Sequence, residues 1–417
     1  MRIAIVAEGD FKRDNRLLKI ARSLTQRGDT VARFGIRITD SQQLCESTDE
    51  GEIILIITGT EDSGSSASVA QERPAGGGGL NLLTVAKRMA ARFGPTDDLR
   101  HYLGRQRECS LIYQAVRSWS PDAVICVNPT MMRVGAWAQR ELGALFIYDA
   151  HEIWIEMYPR HRKVLRALYS RLERRLARRC DLTITVNDEI AGLMARRMGI
   201  EKPMVLMNGP SECLPPTPVH APLRLLFQGA LEADRDLTPI IEQMGALRDL
   251  ATLTIQGFGG MEDYCRSIVR ERGLEDVVRF VPPCAPSDVL SHANEHDVGL
   301  IVYALTSENI IYSSPNKFFD YIGAGLALLA VDAPVMRRFI TSAGCGDLLD
   351  PSDIGNAWKV IEALAANPER VHAMKEAAAR LCPTLLWDAE AAPLLDWIAG
   401  RELMTRDSGG QSDPGRP

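Results

Sequence analysis

Residues 313–325 read SSPNKFFDYIGAG, and the apolar run LALLAV follows at 326–331. Ser314 suits an N-cap and Pro315 a first helical position, so the spacing predicts a helix opening there. The backbone N–H groups of Asn316 and Lys317 then point out of the helix end, which carries partial positive charge and suits a pyrophosphate. Asn316 and Asp320 stand four apart and share a face. A carboxylate one turn in can accept hydrogen bonds from two vicinal hydroxyls, as a ribose offers. Gly323 and Gly325 end the helix, and 326–331 reads as a buried parallel strand. Together these make a nucleoside-diphosphate cradle. Taken alone, the stretch also fits an ordinary α/β helix whose Asp faces water.

The chain around it has 417 residues, 46% of them hydrophobic and 24% charged, which suits a globular protein of two to three domains. A net charge of −6 argues against general nucleic-acid binding. Nine cysteines are scattered and never form C-x-x-C, so they read as reduced, buried hydrophobes and not as metal ligands or disulfides. The chain opens directly on the strand-like RIAIVAE, with no signal peptide. No apolar run approaches the roughly 18–20 residues that span a bilayer. The expected location is cytoplasmic, with peripheral contact at the inner face of the membrane as an option.

Short apolar runs at 3–7, 30–36, 53–58, 122–127, 144–148, 182–186 and 205–207 alternate with helical periodicity. Residues 59–80 are rich in Gly and Ser and read as a loop. Five prolines within 208–222 give the composition of a stiff linker. A second series of strands reads at 223–228, 252–256, 277–281, 298–302, 326–331 and 347–349. The predicted layout is an N-terminal Rossmann-like domain over 1–207 and a linker over 208–222. A C-terminal Rossmann-like domain over 223–382, a closing helix over 383–402 and a disordered tail over 403–417 complete it. The fold class is α/β, two parallel-sheet domains facing each other across a cleft where ligands of such folds bind.

The second half contains, in order, LLFQGALEADRDL at 225–237, LTIQGFGG at 253–260, FVPPC at 280–284, HDVGLIVY at 296–303 and SPNKFFDYIGAGLALLA at 314–330. These five pieces resemble the nucleotide-sugar half of the glycosyltransferase group 1 (family 4-like) enzymes of the GT-B fold. In the first half YDAHE at 148–152, TVN at 185–187 and VLMNG at 205–209 are similar to strings of that family. The resemblance implies that Asp320 binds the donor ribose, that the N–H groups of Asn316 and Lys317 meet the pyrophosphate, and that Arg235 neutralises it. It also implies that Gly229 lets the backbone approach the ligand and that His151 lies near the anomeric centre. Gly9 then fits a turn near phosphate or acceptor, or a plain βα turn. Asp149 and Glu152 read as partners of the His151 loop. Asp14 and Arg16 resemble a family string, or a helix cap with a surface ion pair.

Two positions depart from the family pattern. Ala230 stands where an Arg often follows the glycine, and Tyr312 stands where an acid commonly precedes Asp320 by eight residues. Glu308 is a candidate substitute for that acid. The implied reaction moves a sugar from a nucleoside-diphosphate sugar to an acceptor hydroxyl with retention, needing no metal and no other cofactor. The implied acceptor is a glycan, a lipid-linked molecule or a small metabolite. Residues 160–179 carry eight arginines and a leucine stripe at 165, 168, 172 and 176. They read either as a basic helix on anionic lipid or as a surface helix packed on its own domain. A dehydrogenase is disfavoured, because AEGDFKRD after the first strand lacks G-x-G-x-x-G. An epimerase of the same fold and a non-catalytic nucleotide-sugar binder stay open.

Overall fold

The computed structural model describes residues 1–8, 14–37, 44–49, 51–57 and 95–409. It divides into a unit of Met1–Leu206 with Pro393–Pro417 and a unit of Met207–Ala392.

The first unit is built on an eight-stranded sheet: β1 (Arg2–Val6), β2 (Thr30–Arg37), β3 (Leu44–Thr48), β4 (Gly51–Ile57), β5 (Ala123–Val127), β6 (Leu145–Ala150), β7 (Leu182–Thr185) and β8 (Met204–Val205). Their order is β3-β4-β2-β1-β5-β6-β7-β8. All neighbours pair in parallel except β3, an edge strand antiparallel to β4 that the periodicity did not reveal. Continuous apolar runs such as Ile3–Val6 and AVICV are buried on both faces, as helices on both sides of a parallel sheet require. The chain starts at the sheet's centre and winds first one way and then the other. Its switch point therefore lies between β1 and β5, where α/β folds open a crevice at the strand carboxyl ends.

The helices of this unit that bear on the site are α1 (Asn15–Gln26), α2 (Pro95–Trp119), α3 (Asn128–Leu142), α4 (Lys163–Ala177) and α5 (Asp188–Met198). Asp14 caps α1 by accepting from the Leu17 N–H, and Asn187 caps α5 by accepting from Ile190. α4 has no such cap of its own. The buried Asp98 of α2 accepts from the Leu165 N–H at 3.0 Å and from Arg162 Nε at 2.6 Å, satisfying an orphan donor of its first turn. Leu165, Leu172 and Leu176 of the expected stripe are buried on this unit while Leu168 is half-buried. Arg171, Arg174, Arg175, Arg178 and Arg179 are exposed.

The second unit has a six-stranded, wholly parallel sheet: β9 (Leu223–Gln228), β10 (Ala251–Gln256), β11 (Val278–Val281), β12 (Val298–Ile301), β13 (Ala327–Val331) and β14 (Gly346–Leu349). The order β11-β10-β9-β12-β13-β14 puts its switch point between β9 and β12. The helix of the opening motif, α6 (Asn316–Gly323), joins the two strands beyond that point, and α7 (Pro368–Leu381) and α8 (Trp387–Gly409) end the chain.

Three features differ from the sequence reading. The proline-rich stretch is packed into the second unit: Leu214 N donates to Gly323 O, Asn294 Nδ2 to Pro215 O, and Thr217 Oγ1 to Asn294 O. Within it Cys213 forms a disulfide with Cys382, against the expectation that every cysteine is reduced. Spacing could not show this pair, because 169 residues separate two positions that only the fold brings together. Finally, α8 runs to Gly409, past the expected end at 402, since LMTRDS contains no helix breaker. From Pro393 on, α8 belongs to the first unit, within which Arg27 reaches Glu402 at 3.4 Å. Residues 410–417 and the expected loop 59–80 lie outside the described residues.

Candidate functional site

The second unit gathers the opening motif's residues at the carboxyl end of β9. α6 starts at Asn316, one residue later than expected, with Pro315 at the N-cap position and no side-chain cap. The orphan N–H groups of its first turn are thus those of Asn316 and Lys317. Phe318, Phe319 and Ile322 on its inner face are fully or almost fully buried, each contributing roughly 1.5–3 kcal/mol to holding the helix on the sheet. Tyr321 adds a polar bolt: its hydroxyl accepts from the Gln228 N–H at 2.8 Å and donates to Leu226 O at 3.3 Å. This fixes α6 to the last residues of β9, immediately before the glycine turn. Asn208 of VLMNG donates through Nδ2 to Asn316 Oδ1 at 2.8 Å and orients the residue at the helix mouth.

Gly229 follows β9 with φ at +128°, a backbone conformation that side chains oppose. Gly257, after β10, packs so close that a Cβ there would come 1.9 Å from the Gly229 carbonyl oxygen. The turn is therefore walled by backbone. Arg235 sits at the end of a short 3₁₀ turn with its side chain 42% exposed, and its Nε is 3.9 Å from Asp234 Oδ1. Asp320 lies half-buried one turn into α6. Tyr312 closes the one-turn helix Glu308–Ile311, whose first residue is Glu308.

Lys317 is expected to act through its backbone N–H, yet its side chain is the unusual group. It is 8% exposed, and its Nζ lies 3.5 Å from the Phe227 ring centroid with no hydrogen-bond partner among the described residues. The same atom would be 3.6 Å from a Cβ on Gly229, so the amine points at the glycine turn. Burial, and next the Arg235 guanidinium, hold it well below the usual lysine range, against the pull of Asp234 and Asp320. The signal available in the sequence was a lysine one turn before Asp320 on a helix otherwise apolar on that side.

In the first unit His151 directly follows β6, 18% exposed at its side chain. Its Nε2 is 3.0 Å from Asp149 Oδ2, and its Nδ1 is 3.9 Å from Asp14 Oδ2. Asp149 is fully buried and also receives Nε and Nη2 of Arg16, at 3.1 and 2.8 Å. Burial alone would raise the Asp149 carboxyl, but Arg16 and His151 outweigh it and hold it below the usual carboxylate range. Arg16 is only 4% exposed and donates a further bond to Leu206 O, so it is no surface ion pair. Asp149 thus fixes the imidazole's orientation, as carboxylates do for functional histidines. Gly9 lies outside the described residues. Among the described residues no group of three His, Cys, Asp or Glu could hold a metal ion, and no helix is long and apolar enough to cross a membrane.

Residues 15–209 match the model of the glycosyl transferase 4-like domain. A D-inositol 3-phosphate glycosyltransferase of Thermomonospora curvata is 25% identical over 193 residues, 44% of this chain and 40% of that protein. The aligned stretch thus spans less than half of that relative. Among solved structures, the sucrose-phosphate synthase of Thermosynechococcus elongatus superposes with a TM-score of 0.67 at 13% identity, over 97% of this chain and all of that one. Anabaena HepE in complex with UDP and glucose gives 0.64 at 14%, over 96% and 100%. The structural likenesses show the fold, GT-B, and residues 15–209 are similar to the glycosyl transferase 4-like domain.

Proposed function

We propose that this GT-B chain is a glycosyltransferase that moves a hexosyl-type sugar from a nucleoside-diphosphate sugar to an acceptor hydroxyl, with retention. The observation that carries the reading is the assembly of Gly229, Arg235, the open N-terminus of α6 and Asp320 around one switch point. HepE, the similar structure, is in complex with UDP and glucose, which supports the same class of donor here.

The chemical difficulty is loss of a dianionic leaving group while positive charge grows on the sugar ring. In the proposed reaction the N–H groups of Asn316 and Lys317 and the Arg235 guanidinium balance the departing diphosphate. Fixed donors of this kind need no reorganisation as charge develops. The Gly229 turn lets the phosphates come against backbone. Asp320 accepts from the ribose hydroxyls. His151, oriented by Asp149, donates a hydrogen bond to a sugar or acceptor hydroxyl. The leaving phosphate takes the acceptor's proton, so no side chain is assigned as base and no metal is invoked. Tyr312 in place of an acid alters how the donor sugar's hydroxyls are held. The exposed arginines of α4 support an anionic or lipid-linked acceptor at the inner face of a membrane in the cytoplasm.

The test is a thermal-shift panel of UDP, GDP, dTDP, ADP and CMP on the wild type and Asp320→Ala, followed by transfer assays with the matching sugar nucleotides. A ligand that binds only the folded state raises its midpoint by mass action. One nucleotide should stabilise the wild type and lose its effect on Asp320→Ala. If none shifts the wild type, the donor-site reading is wrong. Binding without transfer or hydrolysis across many acceptors would point to a non-catalytic binder, and sugar isomerisation without acceptor to an epimerase.

A further inference from the structure

We propose that the side chain of Lys317 is itself a ligand of the donor diphosphate, and that it takes a proton from solvent as the diphosphate binds. This rests on the donor-site reading and adds to it a residue and a proton. The geometry carries it. Nζ is buried, directed at the Gly229 turn and without a hydrogen-bond acceptor, in a position where a phosphate lying against that turn would supply one. An ammonium with three N–H donors and no acceptor is costly to bury. The Phe227 ring face offers it part of a cation's environment but cannot accept hydrogen bonds from all three donors.

The groups that set its charge are few. Arg235 opposes the proton from the turn after β9. Asp234 beside it and Asp320 on α6 favour the proton. The strand under the amine contributes Phe227 and the turn after it Gly229, both uncharged. With no ligand, burial and Arg235 dominate and favour the neutral amine. A diphosphate adds negative charge at hydrogen-bonding distance and reverses the balance. The proton moves from water or buffer to Nζ, and no other bond changes. Lys317 would then restore the cation that Ala230 does not supply, from a helix instead of from the glycine turn.

The experiment is isothermal titration of the full chain with UDP, GDP and ADP, at pH 8 and in several buffers of different ionisation enthalpy. Inorganic pyrophosphate serves as a base-free probe. The nucleotide phosphates are themselves fully ionised at that pH. The wild type should take up protons on binding. Lys317→Met should bind about tenfold or more weakly with no uptake. Lys317→Arg, charged in both states, should bind without uptake, and it keeps the test decisive should the Met variant fail to fold. If Lys317→Met and Lys317→Arg bind and take up protons as the wild type does while Asp320→Ala loses the nucleotide, the inference fails and the donor site stands. If no probe binds the wild type at all, both fall together.

Discussion

Glu173 gives a sharp test of how this chain's interior is organised. It sits on the sheet-facing side of α4, 7% exposed, and accepts a 2.6 Å hydrogen bond from the hydroxyl of the fully buried Tyr148. Burial pushes its carboxyl up from 4.5 to about 7, with Tyr148 and Arg197 pulling the other way. A folded-state value raised above the unfolded one means that the folded protein holds the proton more tightly. The associated stability is fully present below about 4.5 and is lost as pH rises through about 7. At about 1.4 kcal/mol per pH unit the whole effect is about 3 kcal/mol, most of it falling between roughly pH 5 and 8. Glu173→Gln keeps the oxygen that accepts from Tyr148 and cannot ionise. Urea denaturation of the two proteins side by side, followed by circular dichroism from pH 5 to 8, reads the difference. The variant's advantage over the wild type should be about 2–3 kcal/mol larger at pH 8 than at pH 5. If the two transitions move in parallel across that range, Glu173 is not the buried acid described.

Two further perturbations test the site's supports. Asp149→Asn leaves the buried Arg16 guanidinium without its counter-charge and should cost about 3–5 kcal/mol in the same assay. Arg16→Met combined with it should recover part of that loss, and an equal or larger loss in the double variant would contradict the pairing. Tyr321→Phe strips the partner from the Gln228 N–H and should destabilise by about 1–3 kcal/mol. It should also weaken nucleoside-diphosphate binding, since α6 loses its tie to the Gly229 turn. Unchanged affinity would mean that the turn is held by the Gly257 contact alone.

Much of this was readable because it is local. Strand 223–228 is expected at its observed bounds, because an apolar run acts within a few residues. The ordered family strings likewise pointed to the fold, since they mark strands, the turns that follow them and one helix start. Expectations failed where the deciding partner is distant in the chain. A surface ion pair stayed open as a reading of Arg16 because Asp149 lies 133 positions away. The proline-rich stretch looked like a free linker because its hydrogen-bond partners and Cys382 come from the second unit's later helices.

The sequence by itself determined the alternation of strands and helices, the glycine turn after β9 and the helix that presents Asn316, Lys317 and Asp320. These features arise from backbone preference and periodicity, which act over one or two turns of chain. Only the tertiary structure decided that Asp149 is a buried counter-ion holding His151, that Tyr321 bolts α6 to β9, and that the Lys317 amine is enclosed against Phe227 and Gly229. Desolvation and hydrogen-bond pairing depend on which remote groups surround an atom, and no local pattern records that.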